Sequence, residues 1–243
     1  MVNEEENFIA GIHNYCDRWC ERCTFTARCR IAEAESQTSD EERDINNEAF
    51  WRRIAANFAE ARMMLTEKAE EFGIDLTIIS DEEFAEHQKR EDEFIESQEL
   101  TRLAEKYWKN ARRTLAEKDE WLIFSMLDEQ PQNEMLEIIG WYQFFISAKI
   151  QRGFQGILDF QVSPDEEELN DSQSDANGSI KIALIALERS IMAWTALMTA
   201  ENAQTIKPHI ALLASLKQKA ETKFPLARTF LRPGFDEINE IVM

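Results

Sequence analysis

Between residues 97 and 128, Leu100, Ala104, Tyr107, Ala111, Leu115, Leu122 and Met126 keep a seven-residue rhythm. That rhythm predicts a long helix burying one stripe in an antiparallel bundle. A second stripe runs through Trp51, Ile54, Phe58, Leu65, Ala69 and Phe72. It predicts an amphipathic helix over 48–72, with Asn47 as its N-cap and Gly73 as its end. Residues 132–158 are apolar on most sides, from Ile138 and Ile139 through Trp141, Tyr142, Phe144, Phe145 and Ile146 to Ile150 and Phe154. A helix of that kind belongs at the centre of a fold. Residues 180–200 read the same way, capped by Ser179, and a last long helix is expected over 205–223.

Shorter signals complete the pattern. Residues 4–23 carry acidic residues in what would be a first helical turn, where they suit the helix dipole. Ser80 and Glu83 match a capping box. The run IDLTII, residues 74–79, has no second strand-like run to pair with, and a lone strand leaves its backbone unpaired; it reads as an extended connector. Residues 162–179, VSPDEEELNDSQSDANGS, are acidic and without apolar rhythm, and read as a mobile loop. The fold class is therefore all-α: four to five long helices in a bundle, with an N-terminal cysteine-rich helix and loop. The expected organisation is a cysteine-rich metal-binding segment over 1–35 and the bundle over 46–243.

Composition supports this and narrows the function. Seven glycines and five prolines in 243 residues leave few helix breakers. The formal charge of −20 argues against nucleic acid as a partner and toward basic protein surfaces. No apolar run approaches bilayer length, and the N-terminus MVNEEENF lacks the features of a secretion signal. These features predict a cytoplasmic protein without a membrane span, in a compartment where clustered thiols are ligands or redox groups rather than disulfides.

The candidate chemistry lies in YCDRWCERCTFTARC. Cys16, Cys20, Cys23 and Cys29 are spaced C-x3-C-x2-C-x5-C, and no other cysteine occurs. Four thiolates complete the shell of a tetrahedral zinc or a [4Fe–4S] cluster. On a continuous helix Cys16, Cys20 and Cys23 share one face, with the outer two about 10 Å apart along the axis. Sulfurs on one zinc lie within about 4 Å of each other, so an intact helix favours the wider four-iron cube, with zinc as the alternative if the helix breaks near Cys20. Arg18, Arg22, Arg28 and Arg30 interleave the cysteines and would lower thiolate pKa values. His13, one turn before Cys16, is a substitute ligand candidate, and Trp19 and Phe25 are candidate shields.

Over Cys16–Cys23 the spacing resembles that of the radical S-adenosylmethionine enzymes. That resemblance implies a four-iron cluster with one open iron on a strand–helix barrel, and a helical chain with a fourth nearby cysteine does not fit it. No phosphate loop, nucleophile elbow or Glu-x-x-His pair occurs, which points away from an enzyme. The leading expectation is a metal-binding protein whose [4Fe–4S] centre serves electron transfer, redox sensing or structural support. The alternatives are a non-catalytic interaction protein with a structural zinc, and a bundle with a polar interior pocket built from Glu137, Lys149, Glu188 and Arg189.

Overall fold

A computed structural model describes residues 7–75, 80–162 and 172–236. Among the described residues every regular element is helical and no strand occurs. The chain divides into two units, Met1–Ile9 with Trp19–Arg90, and Ala10–Arg18 with Glu91–Met243.

The first unit contains α1 (Arg30–Ser36), α2 (Asp40–Arg43), α3 (Glu48–Phe72) and the start of α4 (Asp81–Ser97). The caps of α3 form as expected. The Asn47 side chain accepts the Ala49 N–H at 3.0 Å, and Gly73 turns left-handed at φ 65°. Ser80 and Glu83 form the reciprocal box that opens α4. α2 packs on α3, yet of the apolar stripe along α3 only Ala69 is buried. Residues 76–79 of the expected connector lie outside the described residues.

The second unit holds α5 (Glu99–Ala116), α6 (Lys118–Trp121), α7 (Glu129–Val162), α8 (Asp175–Leu197) and α9 (Ala203–Lys223). α7 packs on α8 and α5, and α9 packs on α8 and α5. The facing stripes are Leu100, Ala104, Tyr107 and Ala111 on α5, Ile139, Tyr142, Ile146, Ile150 and Phe154 on α7, and Ile206, Leu213, Leu216 and Ala220 on α9. α8 is buried along most of its length. Gly153 and Gly156 bring α7 against α8: a Cβ at Gly156 would meet the Ala176 backbone nitrogen at 3.0 Å, and one at Gly153 would meet Ile180 at 2.7 Å.

Three expectations are corrected here. The helix predicted for 97–128 stops at Ala116; residues 118–121 form α6, 122–124 a 3-10 turn, and Met126 is exposed. The Trp121 indole donates to the Thr114 carbonyl at 2.9 Å, satisfying an acceptor that the helix end would otherwise orphan. α7 is not apolar-buried all round, since Phe144 and Trp141 reach the surface. α8 begins at Asp175 with Ser174 as its cap, its hydroxyl accepting the Asn177 N–H at 3.3 Å. Ser179 is thus interior to the helix, and residues 163–171 of the expected acidic loop lie outside the described residues.

Candidate functional site

The helix predicted over 4–23 is absent from its described part, residues 7–23. Gly11 and Arg18 both adopt left-handed backbone, at φ 70° and 57°, a conformation that ends a right-handed helix. Cys16 sits in a bend, its thiol donating to the His13 carbonyl at 3.5 Å. Cys20 opens a 3-10 turn, Cys20–Arg22, and Cys23 closes it, its N–H donating to the Cys20 carbonyl at 3.1 Å. The Phe25 N–H then donates to Cys23 Sγ at 3.4 Å. A second turn, Thr26–Arg28, delivers Cys29 as the N-cap of α1. All four cysteines are half-buried. By unit, Cys16 belongs with residues 10–18 and the other three with residues 19–90. Among the described residues no three His, Cys, Asp or Glu side chains are gathered as a metal-holding group.

The interleaved arginines take up separate positions. Arg22 lies over the Trp19 ring at 4.0 Å, Arg30 over Phe8 at 5.3 Å, and Arg28 Nε donates to the Asn7 carbonyl at 3.3 Å. The Ile9 N–H also donates to the Arg28 carbonyl at 3.0 Å, tying the described start of the chain to the end of the cysteine stretch. Burial, then the Arg18 charge, lower the His13 pKa from 6.5, which keeps its imidazole neutral.

Within the second unit, residues 10–18 are fastened to α7 and α8. The Asp17 carboxylate accepts the Tyr142 hydroxyl at 2.7 Å and Arg189 at 2.6 Å, and its carbonyl accepts the Trp141 indole at 2.9 Å. Arg189 also donates to the Tyr142 hydroxyl. The Tyr15 hydroxyl donates to Asp175 at 3.0 Å, and its ring meets Phe230 edge-on at 4.5 Å. This seat exists because residue 178 is glycine: a Cβ there would lie 2.4 Å from the Tyr15 ring. Burial, reinforced by the facing carboxylates, pushes the Tyr15 and Tyr142 pKa values up to about 12, so both phenols remain donors.

This anchorage takes up two residues expected to line an interior pocket. Lys149 donates to the Asn14 carbonyl at 3.3 Å, and Arg189 binds Asp17. Burial lowers the Lys149 pKa, partly opposed by the neighbouring Cys16. Glu188, next to Arg189 in sequence, pairs instead with Arg228 at 2.6 Å and Lys217 at 3.5 Å. The two side chains therefore serve different neighbours. A surface cavity of about 540 Å³, with Leu100, Phe154, Glu99 and Lys219 in its lining, includes none of Glu137, Lys149, Glu188 or Arg189. Two cations of α5 bond locally: Arg102 donates to the Glu96 carbonyl at 3.0 Å, and Lys109 pairs with Glu105.

The clamp through Asp17 and the seat at Gly178 have no signature in the sequence. Their partners lie more than 120 residues away along the chain, and neither residue type announces a tertiary contact. The one local hint is the run of four aromatic residues in Trp141, Tyr142, Phe144 and Phe145, two of which carry a polar donor.

Among the described residues no helix is long and apolar enough to cross a membrane. No protein-family model, curated protein or solved structure matches this chain.

Proposed function

We propose that Cys16, Cys20, Cys23 and Cys29 hold one metal centre that ties down the N-terminal segment of a cytoplasmic helical-bundle protein, in which α5, α7, α8 and α9 form the bundle. The observation that carries this reading is the spacing itself: every cysteine of the chain falls within fourteen residues. The local backbone supports it. Cys20 and Cys23 flank a single tight turn, and an amide N–H is directed at Cys23 Sγ, the kind of donor that stabilises a ligated thiolate.

The turn supports zinc over iron as the metal proposed. An unbroken helix through Cys23 favours a four-iron cube, and the described residues replace that helix with turns. A tight C-x2-C turn suits sulfurs spaced for one tetrahedral zinc. Zinc is therefore the first reading, in a non-catalytic interaction protein with a preference for basic partners. The [4Fe–4S] centre, for electron transfer or redox sensing, is the second. A metal displaces the thiol protons and draws the sulfurs together, so assembly of the site couples to metal binding.

Metal analysis of protein purified without air tests both. One zinc per chain, lost together with thermal stability on chelation, establishes the first reading. Iron and sulfide in equal amounts with visible absorption establish the second. A preparation with neither, or a metal content unchanged by Cys20→Ser and Cys23→Ser, removes the proposal.

A further inference from the structure

Residues 10–18 belong with the second unit, whereas the chain on either side, residues 1–9 and 19–90, belongs with the first. Left-handed backbone stands at each end of the segment, Gly11 at φ 70° and Arg18 at φ 57°. Arg18 carries a Cβ, so its left-handed turn is strained, and strain of this kind collects at clamps and switches. Between those ends the segment holds its own turn: the Asn14 N–H donates to the Gly11 carbonyl at 3.0 Å, and the Cys16 thiol to the His13 carbonyl at 3.5 Å.

The second unit grips this turn as a receptor grips a peptide. Ile12 is buried, and it is the only residue of the segment that is. Three positions on, the Tyr15 ring enters the space left by Gly178 beside Phe230, with its hydroxyl on Asp175. Two positions further, the Asp17 carboxylate accepts from Tyr142 and the half-exposed Arg189. Two main-chain carbonyls are also held, Asn14 by Lys149 at 3.3 Å and Asp17 by the Trp141 indole at 2.9 Å. Main-chain hydrogen bonds for affinity and side-chain pockets for specificity are the means by which folded surfaces take up peptides. One apolar anchor within a polar, partly exposed rim is the anatomy of an exchangeable interface rather than of a core. The seat is also built independently of its occupant, because α7 and α8 pack directly on each other at Gly153 and Gly156.

We propose that the α7–α8 face around Gly178 is a peptide-docking site occupied in cis by residues 10–18. Its partner is a turn-forming segment with an apolar residue, a tyrosine three positions on and an aspartate two beyond that, the places held here by Ile12, Tyr15 and Asp17. Tethering gives the cis segment a high effective concentration, so the seat answers weakly to a partner until that segment is loosened.

Fluorescence anisotropy of a fluorescein-labelled peptide of residues 10–18, carrying Cys16→Ser, titrated with the full chain tests it. Chelator is present throughout, so the result does not depend on what the cysteines bind. The chain variant Tyr15→Ala with Asp17→Ala, which loosens the cis segment, should bind the peptide at least about 10-fold more tightly than the unaltered chain. Asp17→Ala alone, a milder change, should give a smaller gain in the same direction. Adding Gly178→Ala to the double variant should weaken the peptide about 10-fold, because the ring no longer enters, and a peptide with Tyr15→Ala should lose as much. Circular dichroism confirms that each variant keeps its helix content. Absence of saturable binding to the loosened chains, equal affinity for loosened and unaltered chains, or a peptide indifferent to loss of its tyrosine overturns the proposal.

Discussion

Gly178→Ala sets two effects of opposite sign against each other. Within a helix this change ordinarily stabilises by up to about 1 kcal/mol, because alanine loses less backbone freedom on folding, and Gly178 lies in the first turn of α8. Here the added methyl would sit 2.4 Å from one Tyr15 ring carbon, 2.6 Å from another and 2.7 Å from the tip of Phe230. The rings cannot easily yield: Phe230 is buried, and Tyr15 is held by its bond to Asp175. Overpacking of this kind costs roughly 1–3 kcal/mol. The expected net is a destabilisation of about 1–2 kcal/mol, or a melting temperature lower by about 3–6 °C for a chain of this size. Thermal and urea unfolding of the variant measure it. The cause is isolated by repeating the change in a Tyr15→Ala background, where most of the penalty should vanish and only the Phe230 contact should remain, giving a coupling of about 1–2 kcal/mol. If Gly178→Ala raises the melting temperature, or behaves identically with and without Tyr15, residues 10–18 do not sit on α8 as described.

Three further outcomes follow from named contacts. Asp17→Ala should destabilise by about 1–2 kcal/mol in urea unfolding, because it strands the Tyr142 hydroxyl and Arg189; the half-exposed Arg189 side chain keeps the loss below that of a fully buried pair, and Asp17→Asn should recover part of it. His209, stacked on Trp194 and bonded to the Thr114 hydroxyl at 2.9 Å, has its pKa lowered from 6.5 to about 4, chiefly by burial and then by Arg113. The native state thus binds fewer protons than the unfolded chain, so this stability is complete above pH 6.5 and is lost as pH falls toward about 4. His209→Phe should flatten the stability profile across that window by up to about 3 kcal/mol. Gly73→Ala should cost about 1–2 kcal/mol purely through left-handed backbone, since no atom lies within 4 Å of its Cβ position; faster amide exchange at Ile74, whose N–H donates to Ala69, would report it.

What could be read in advance was what local chemistry decides. Asn47, Gly73, Ser80 and Glu83 act within a turn of themselves, and their caps form where the residue types require them. The 3.6-residue period likewise found α3, α7 and α9 to within a few positions. The end of α5 escaped because the Trp121 indole folds back on the Thr114 carbonyl and packs against Trp194, contacts that the spacing of apolar residues does not reveal. The cysteine segment escaped for a related reason. Its helical spacing is compatible with one face of a helix, but Gly11, Arg18 and the hold on Asp17 by Tyr142 and Arg189 select turns instead. The exposed stripe on α3 shows the other limit: periodicity identifies an apolar face without saying whether the same molecule covers it.

The glycine contacts between α7 and α8 also bear on what joins those helices. Shape complementarity at Gly153 and Gly156, together with the burial of α8 along most of its length, holds α7 and α8 in register. Loop length alters closure entropy only slowly. A chain severed between residues 162 and 172 should therefore behave as a split protein, its halves reassembling by fragment complementation. A single methyl group at either glycine should weaken that reassembly, because it would press on Ile180 or on the Ala176 backbone.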